Sequence, residues 1–178
     1  MSDAAFESAL LVPVPEAEPY VRLHRFRYDS VALWGVPAHI TVLFPFMPPD
    51  AVTDEALDRV RHVLGRFPAF QFSLTRLERF PEGALYLAPE PAEPFVRLTT
   101  ALVEQFPSYR PYGGAFADVI PHLTIAQLPD ATTLDEVSDI RSSLPIQSEA
   151  REIVLMAEAD DRRWHMRSRF ALDGRDRM

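Results

Sequence analysis

Apolar positions recur along this chain with two periods, and the switches between them mark out its elements. Residues 9–14 form a short apolar run that predicts a strand. Residues 16–29 are densely charged and irregular and predict no regular element. Residues 38–46, AHITVLFPF, are rich in β-branched and aromatic side chains and predict a strand. Val52, Ala56, Val60, Val63 and Leu64 then follow a helical spacing. They predict a helix over 52–67, capped by Thr53 or Asp50 and stopped by Pro68. Strands are expected at 70–80 and 84–88, joined by a turn at Pro81-Glu82-Gly83.

Phe95, Leu98, Leu102, Val103 and Phe106 form the stripe of a second helix over 94–106, which Pro107 ends. A loop rich in Tyr, Pro and Gly, SYRPYGGAFADV, covers 108–119. A strand is expected at 122–128. Thr133 and Glu136 then have the spacing of a capping box for a third helix over 134–144, stopped by Pro145. Segments 151–159 and 164–172 close the chain as a hairpin. The order strand, helix, two strands thus occurs twice, and predicts two similar lobes.

Each repeat opens on the same short motif. The first is Pro37-Ala38-His39-Ile40-Thr41-Val42 and the second Ile120-Pro121-His122-Leu123-Thr124-Ile125. Residues i and i+2 of a strand face one side. His39 and Thr41 therefore share one face and Ile40 and Val42 the other, and the second motif repeats the division. Two imidazoles beside two hydroxyls suit phosphodiester chemistry. A neutral His can take a proton from water or a ribose hydroxyl, and a protonated one can give a proton to the leaving oxygen. The hydroxyls can stabilise charge on the phosphoryl oxygens. The chain holds only five His and eight Thr, so two such motifs heading equivalent repeats are a poor fit to chance.

Composition narrows the chemistry. There is no cysteine, which excludes disulfides, thiolate nucleophiles and Cys-rich metal sites, and fits a reducing cytoplasm. All 18 basic residues are Arg, so a lysine Schiff base and a P-loop lysine are excluded. The net charge of -8 argues against a broad nucleic-acid surface but permits a small phosphate pocket. No carboxylate lies between Ser30 and Pro49, and only Asp118 and Asp130 lie near His122, so no metal is expected. The longest uncharged stretch, 30–49, contains Pro37, Pro45, Pro48 and Pro49 and makes a poor membrane helix. No secretory signal is evident, and a cytoplasmic location is expected.

In the loop before the second motif, Tyr112 is a candidate to stack on a base, Phe116 a weaker one, and Arg110 a candidate for a phosphate. Phe44 and Phe46 read as core. His165, Arg167 and Arg169 alternate along the last strand and would share a face, either a cationic cleft wall or a solvated surface. His24 among Arg22, Arg25 and Arg27 reads as charged surface, and His62 as exposed.

On its two motifs, His39-Ile40-Thr41-Val42 and His122-Leu123-Thr124-Ile125, the chain resembles the 2H phosphoesterase superfamily. Within it, the chain is most similar to the 2′-5′ RNA ligase-like (LigT-like) branch. The resemblance spans essentially the whole chain, though outside the motifs it rests on pattern. It implies an α+β fold, bilobal, with antiparallel sheets, packed helices and the two motifs facing a central cleft. The lobes are expected at about 30–108 and 115–172 of a single domain. It implies that His39, Thr41, His122 and Thr124 are catalytic, one His as base and the other as acid, without metal or cofactor. The substrate class implied is a 2′,3′-cyclic phosphate, on a nucleotide or an RNA end, or a 2′-5′ linkage to be cleaved or joined. A monomer is expected. The alternative is a nucleotide- or RNA-end-binding protein on the same fold, without turnover.

Overall fold

A computed structural model describes residues 6–127 and 137–175. Its strands are β1 (Ser8–Pro13), β2 (His39–Leu43), β3 (Phe70–Arg79), β4 (Leu85–Glu90), β5 (Leu123–Ala126), β6 (Ile146–Ala150), β7 (Glu152–Glu158) and β8 (Trp164–Ala171). Its helices are α1 (Glu18–Tyr28), α2 (Ser30–Leu33), α3 (Asp54–Gly65), α4 (Glu93–Gln105) and α5 (Ser138–Ser143). Among the described residues the strands form two four-stranded antiparallel sheets, ordered β2-β1-β7-β8 and β5-β4-β3-β6. The fold is α+β.

The lobes expected at 30–108 and 115–172 are not contiguous in the chain. The first motif's strand β2 pairs with β1, which pairs in turn with the late strand β7. The second motif's strand β5 pairs with the early strand β4, which pairs in turn with β3. Each sheet therefore borrows strands from both halves of the chain. The linear order of elements could not reveal this, because it carries no information on which strands pair. Each motif strand ends up at the edge of its sheet, and the two edges are neighbours.

Burial explains most elements. Val60, Val63 and Leu64 of α3 are buried as their spacing predicts. The Thr53 hydroxyl caps that helix by accepting the Ala56 N–H at 3.2 Å. Phe95, Leu98 and Leu102 bury the stripe of α4. One continuous core joins residues from β2, β5, α3 and α4.

Two elements depart from the sequence reading. Residues 18–28, expected to be irregular, form α1, whose buried residues are Val21 and Arg25. A buried arginine hides the apolar stripe from any periodicity test. Strand β6 lies where no strand was expected. Its inward residues Ile146, Ser148 and Ala150 include a serine, which donates to Glu16 Oε2 at 2.8 Å. The candidate cap at Thr133 and Glu136 lies outside the described residues; α5 covers 138–143 of the helix expected there. Among the described residues, no helix is long and apolar enough to cross a membrane.

Candidate active site

The meeting of the two sheet edges leaves a cleft of about 720 Å³. His39, Thr41, His122 and Thr124 all line it. His39 opens β2 and His122 stands immediately before β5, so alternation turns each His and its Thr inward. Ile40, Val42, Leu123 and Ile125 point away and are buried in the core.

Both imidazoles are held in the same way. His39 Nδ1 is 2.7 Å from the carbonyl oxygen of Pro37, and His122 Nδ1 is 2.8 Å from that of Ile120. A carbonyl oxygen only accepts, so in each ring Nδ1 carries the hydrogen and donates it. That assignment leaves both Nε2 atoms to give or take a proton. The residue two positions before each His thus fixes its tautomer and angle. Phe80 and Tyr86 also meet the His122 ring edge-on, with centroids 4.9 and 5.7 Å away.

The surroundings favour neutral imidazoles. Burial, then the Arg25 cation, push His39 down to about 4, and the charge of His122 adds to the effect. His122 is lowered by burial, while the bond to Ile120 and the charge of Glu82 oppose the shift. In the folded protein His39 therefore binds fewer protons between pH 4 and 6.5 than in the unfolded chain. Its contribution to stability is lost as pH falls through that window. A proton NMR titration of the imidazole Cε1–H signals should place His39 near pH 4, well below an exposed histidine. A midpoint at an ordinary histidine value would contradict this account of its surroundings.

Of the three loop candidates, Tyr112 alone lines the cleft. Its backbone is left-handed, with φ 51° and glycines following at 64° and 80°. Its N–H donates to the Phe44 carbonyl at 2.6 Å, and its ring meets Phe44 edge-on at 6.4 Å. Its hydroxyl bonds with the Thr41 side chain, although burial raises its pKa overall. Arg110 and Phe116 do not line the cleft. Both are exposed; Phe116 packs on the Tyr112 ring at 5.6 Å. The left-handed turn swings Tyr112 inward and leaves its neighbours outside.

Phe44, read as core, is instead a wall of the cleft, tilted against Trp164 at 6.3 Å. Trp164 was missed. Alternation along β8 offered it as the opposite choice to His165, Arg167 and Arg169, and none of those three lines the cleft. His165 lies 3.5 Å from Asp161, and Arg169 pairs with Glu152. Asp29, Gln127, Glu158 and Arg162 also line the cleft. Short-range pattern gave no sign of them, because their place in the wall depends on tertiary folding. Among the described residues, no three His, Asp or Glu side chains group so as to hold a metal ion.

In solved structures the fold is similar to E. coli LigT complexed with 3′-AMP, at 18% identity and TM-score 0.63, covering 94% of this chain and 98% of that one. It is similar to E. coli LigT complexed with NADP+, at 18% identity and TM-score 0.62, covering 95% and 98%. It is also similar to TT0787 of Thermus thermophilus, at 16% identity and TM-score 0.62, covering 93% and 97%. At such identities the likeness establishes the fold alone. No curated protein sequence is significantly similar to the chain. The family profile described as 2′-5′ RNA ligase superfamily matches residues 13–162, most of the chain, and the protein belongs to that superfamily.

Proposed function

We propose that this protein is a two-histidine phosphoesterase that opens 2′,3′-cyclic phosphates on a nucleotide or an RNA end. Cleaving or joining a 2′-5′ linkage uses the same proton transfers. The observation that carries the reading is the pair of imidazoles in one cleft, each with Nδ1 bonded to the carbonyl two residues earlier, which leaves Nε2 as the atom to exchange a proton.

His39 is the base. Burial and the Arg25 cation keep it neutral, so its Nε2 takes a proton from the attacking water. The oxygen of that water forms a bond to phosphorus as the bond from phosphorus to one ribose oxygen breaks. His122 is the acid. The bound phosphate anion favours its imidazolium, which gives its proton to the departing ribose oxygen. Thr41 and Thr124 donate hydroxyl hydrogens to the phosphoryl oxygens.

The cleft volume lies in the range of small-molecule sites. With a net charge of -8, that favours a nucleotide or a chain end over a long polynucleotide. LigT structures complexed with 3′-AMP, NADP+, ATP and phosphate support a ligand of this chemistry.

The test is a panel of the four 2′,3′-cyclic nucleotides incubated with the protein in EDTA. Turnover that resists the chelator, with a single regioisomer of the monophosphate product, supports the reading. Saturable binding of the panel without hydrolysis of any member, or of 2′-5′ dinucleotides, would replace it with a binding role.

A further inference from the structure

Neither member of the buried ion pair between Arg25 and Asp29 gives or takes a proton in these steps. Their side chains are 3% and 0% exposed. Arg25 Nε donates to Asp29 Oδ2 at 3.0 Å, and Nη2 lies 3.0 Å from the same oxygen. Buried pairs stabilise a fold little better than apolar residues of equal volume, and their best-attested use is to fix one arrangement. Here the outer bonds of the pair show what is fixed.

Arg25 Nη1 donates to the carbonyl oxygen of Val36 at 3.2 Å, three residues before His39. On the same helix, Glu18 Oε1 accepts the Ala38 N–H at 2.6 Å, directly before His39. On the other side, Gln127 Nε2 donates to Asp29 Oδ1 at 3.2 Å, and the Gln127 N–H donates to the Tyr28 carbonyl at 2.8 Å. Gln127 is the residue that follows β5. Helix α1 is therefore bonded both to the segment leading into the first motif and to the segment leaving the second.

We infer that Arg25 and Asp29 are positioning residues. They form a bracket that sets the two histidines at a fixed separation and keeps a permanent cation behind His39, so that His39 meets substrate as an unprotonated base. The kinetic part rests on the phosphoesterase reading; the bracket itself does not. Beside His39 stand Arg25 and Glu18 of α1, His122 before β5 and Asp29 at the junction of α1 and α2; Tyr112 from the loop before β5, and Glu7, Glu158 and Arg162, line the rest of the same cleft. Of the two arginines, Arg25 is the one whose charge acts on His39. Asp29 is paired with it, and Tyr112 stays neutral because burial raises its pKa.

Two variants test the inference. Arg25→Lys keeps the cation and loses the fork. Arg25→Met/Asp29→Leu removes both charges together, because a single change leaves a buried carboxylate unpaired and endangers folding. The readouts are the His39 NMR midpoint and the pH profile, kcat and KM for a 2′,3′-cyclic nucleotide. In the folded double variant the His39 midpoint should rise, while burial still holds it below an ordinary histidine value, and the acidic limb of kcat/KM should move to higher pH with it. Its kcat should fall on the order of 10–100-fold, the scale of a small misplacement of reacting groups, with KM little changed. Arg25→Lys should keep the midpoint and the limb of the wild type. A folded double variant with an unchanged midpoint and unchanged kcat would overturn the inference. If the wild type turns over no cyclic phosphate, the phosphoesterase reading fails, and the NMR midpoint still decides whether Arg25 acts on His39.

Discussion

Replacing His39 or His122 by alanine is expected to lower kcat for a 2′,3′-cyclic nucleotide by roughly 10²–10⁴-fold each, the usual yield of one positioned proton transfer. The double variant should be little worse than the weaker single one. A base without an acid, or an acid without a base, already forfeits the concerted step, and residues acting as a unit are not additive. Folding should survive. Both side chains face the cleft and only partly fill it, and the core beneath them is made by Ile40, Val42, Leu123 and Ile125. Circular dichroism and thermal melts beside the kinetics separate the two effects. The pH profiles add a sharper check. His39→Ala should remove the acidic limb of kcat/KM and His122→Ala the basic limb, since the first must be unprotonated and the second protonated. Interchanged limbs would reverse the roles, and full activity in either variant would end the two-histidine mechanism.

The inward face of each motif was legible in the sequence because it is local. A His and a Thr two residues apart on a strand must share a face, and two copies of that arrangement are visible without any knowledge of pairing. Helices α3 and α4 were legible for the same reason, since their apolar stripes are periodic over about three turns. What stayed hidden depends on partners distant in the chain. Arg25 looks like surface until Asp29, Val36 and the folded cleft surround it. Trp164 lies in the cleft wall because its ring packs on Phe44, more than a hundred residues earlier in the chain. The interleaving of lobes is hidden most thoroughly, because a repeated order of elements is compatible with several strand pairings. Tyr112 was a candidate as an aromatic in a glycine-containing loop before the second motif, and the left-handed backbone at Tyr112, Gly113 and Gly114 that places it in the wall shows only in the fold.

The largest loss of stability from one substitution is expected at Phe95. This residue sits in the first turn of α4 and is 1% exposed. Its ring meets Phe70 and Phe72 of β3 edge-on, with centroids 5.0 and 5.1 Å away, so it anchors the helix on the sheet of the second motif. One turn later, the Thr99 hydroxyl donates to the Val42 carbonyl at 2.7 Å, which ties the same helix to the strand of the first motif. Helix α4 thus spans the two sheets whose edges form the cleft. Phe95→Ala removes the ring from a closed core and should cost about 3–5 kcal/mol. Edge-to-face partners contribute about 0.5–1.5 kcal/mol beyond buried area, which places the loss toward the upper end. Domains of this kind hold only about 5–15 kcal/mol in total, so a large share would go. Urea denaturation measures it as a lower midpoint with an unchanged slope. Thr99→Val nearly preserves shape and deletes one buried hydrogen bond, so it should cost about 1–3 kcal/mol, the penalty of an unsatisfied carbonyl. A loss at Phe95 below that at Thr99 would mean that the sheets close over the vacated space. Their spacing, and the width of the cleft, would then be set by the Arg25–Asp29 bracket rather than by α4.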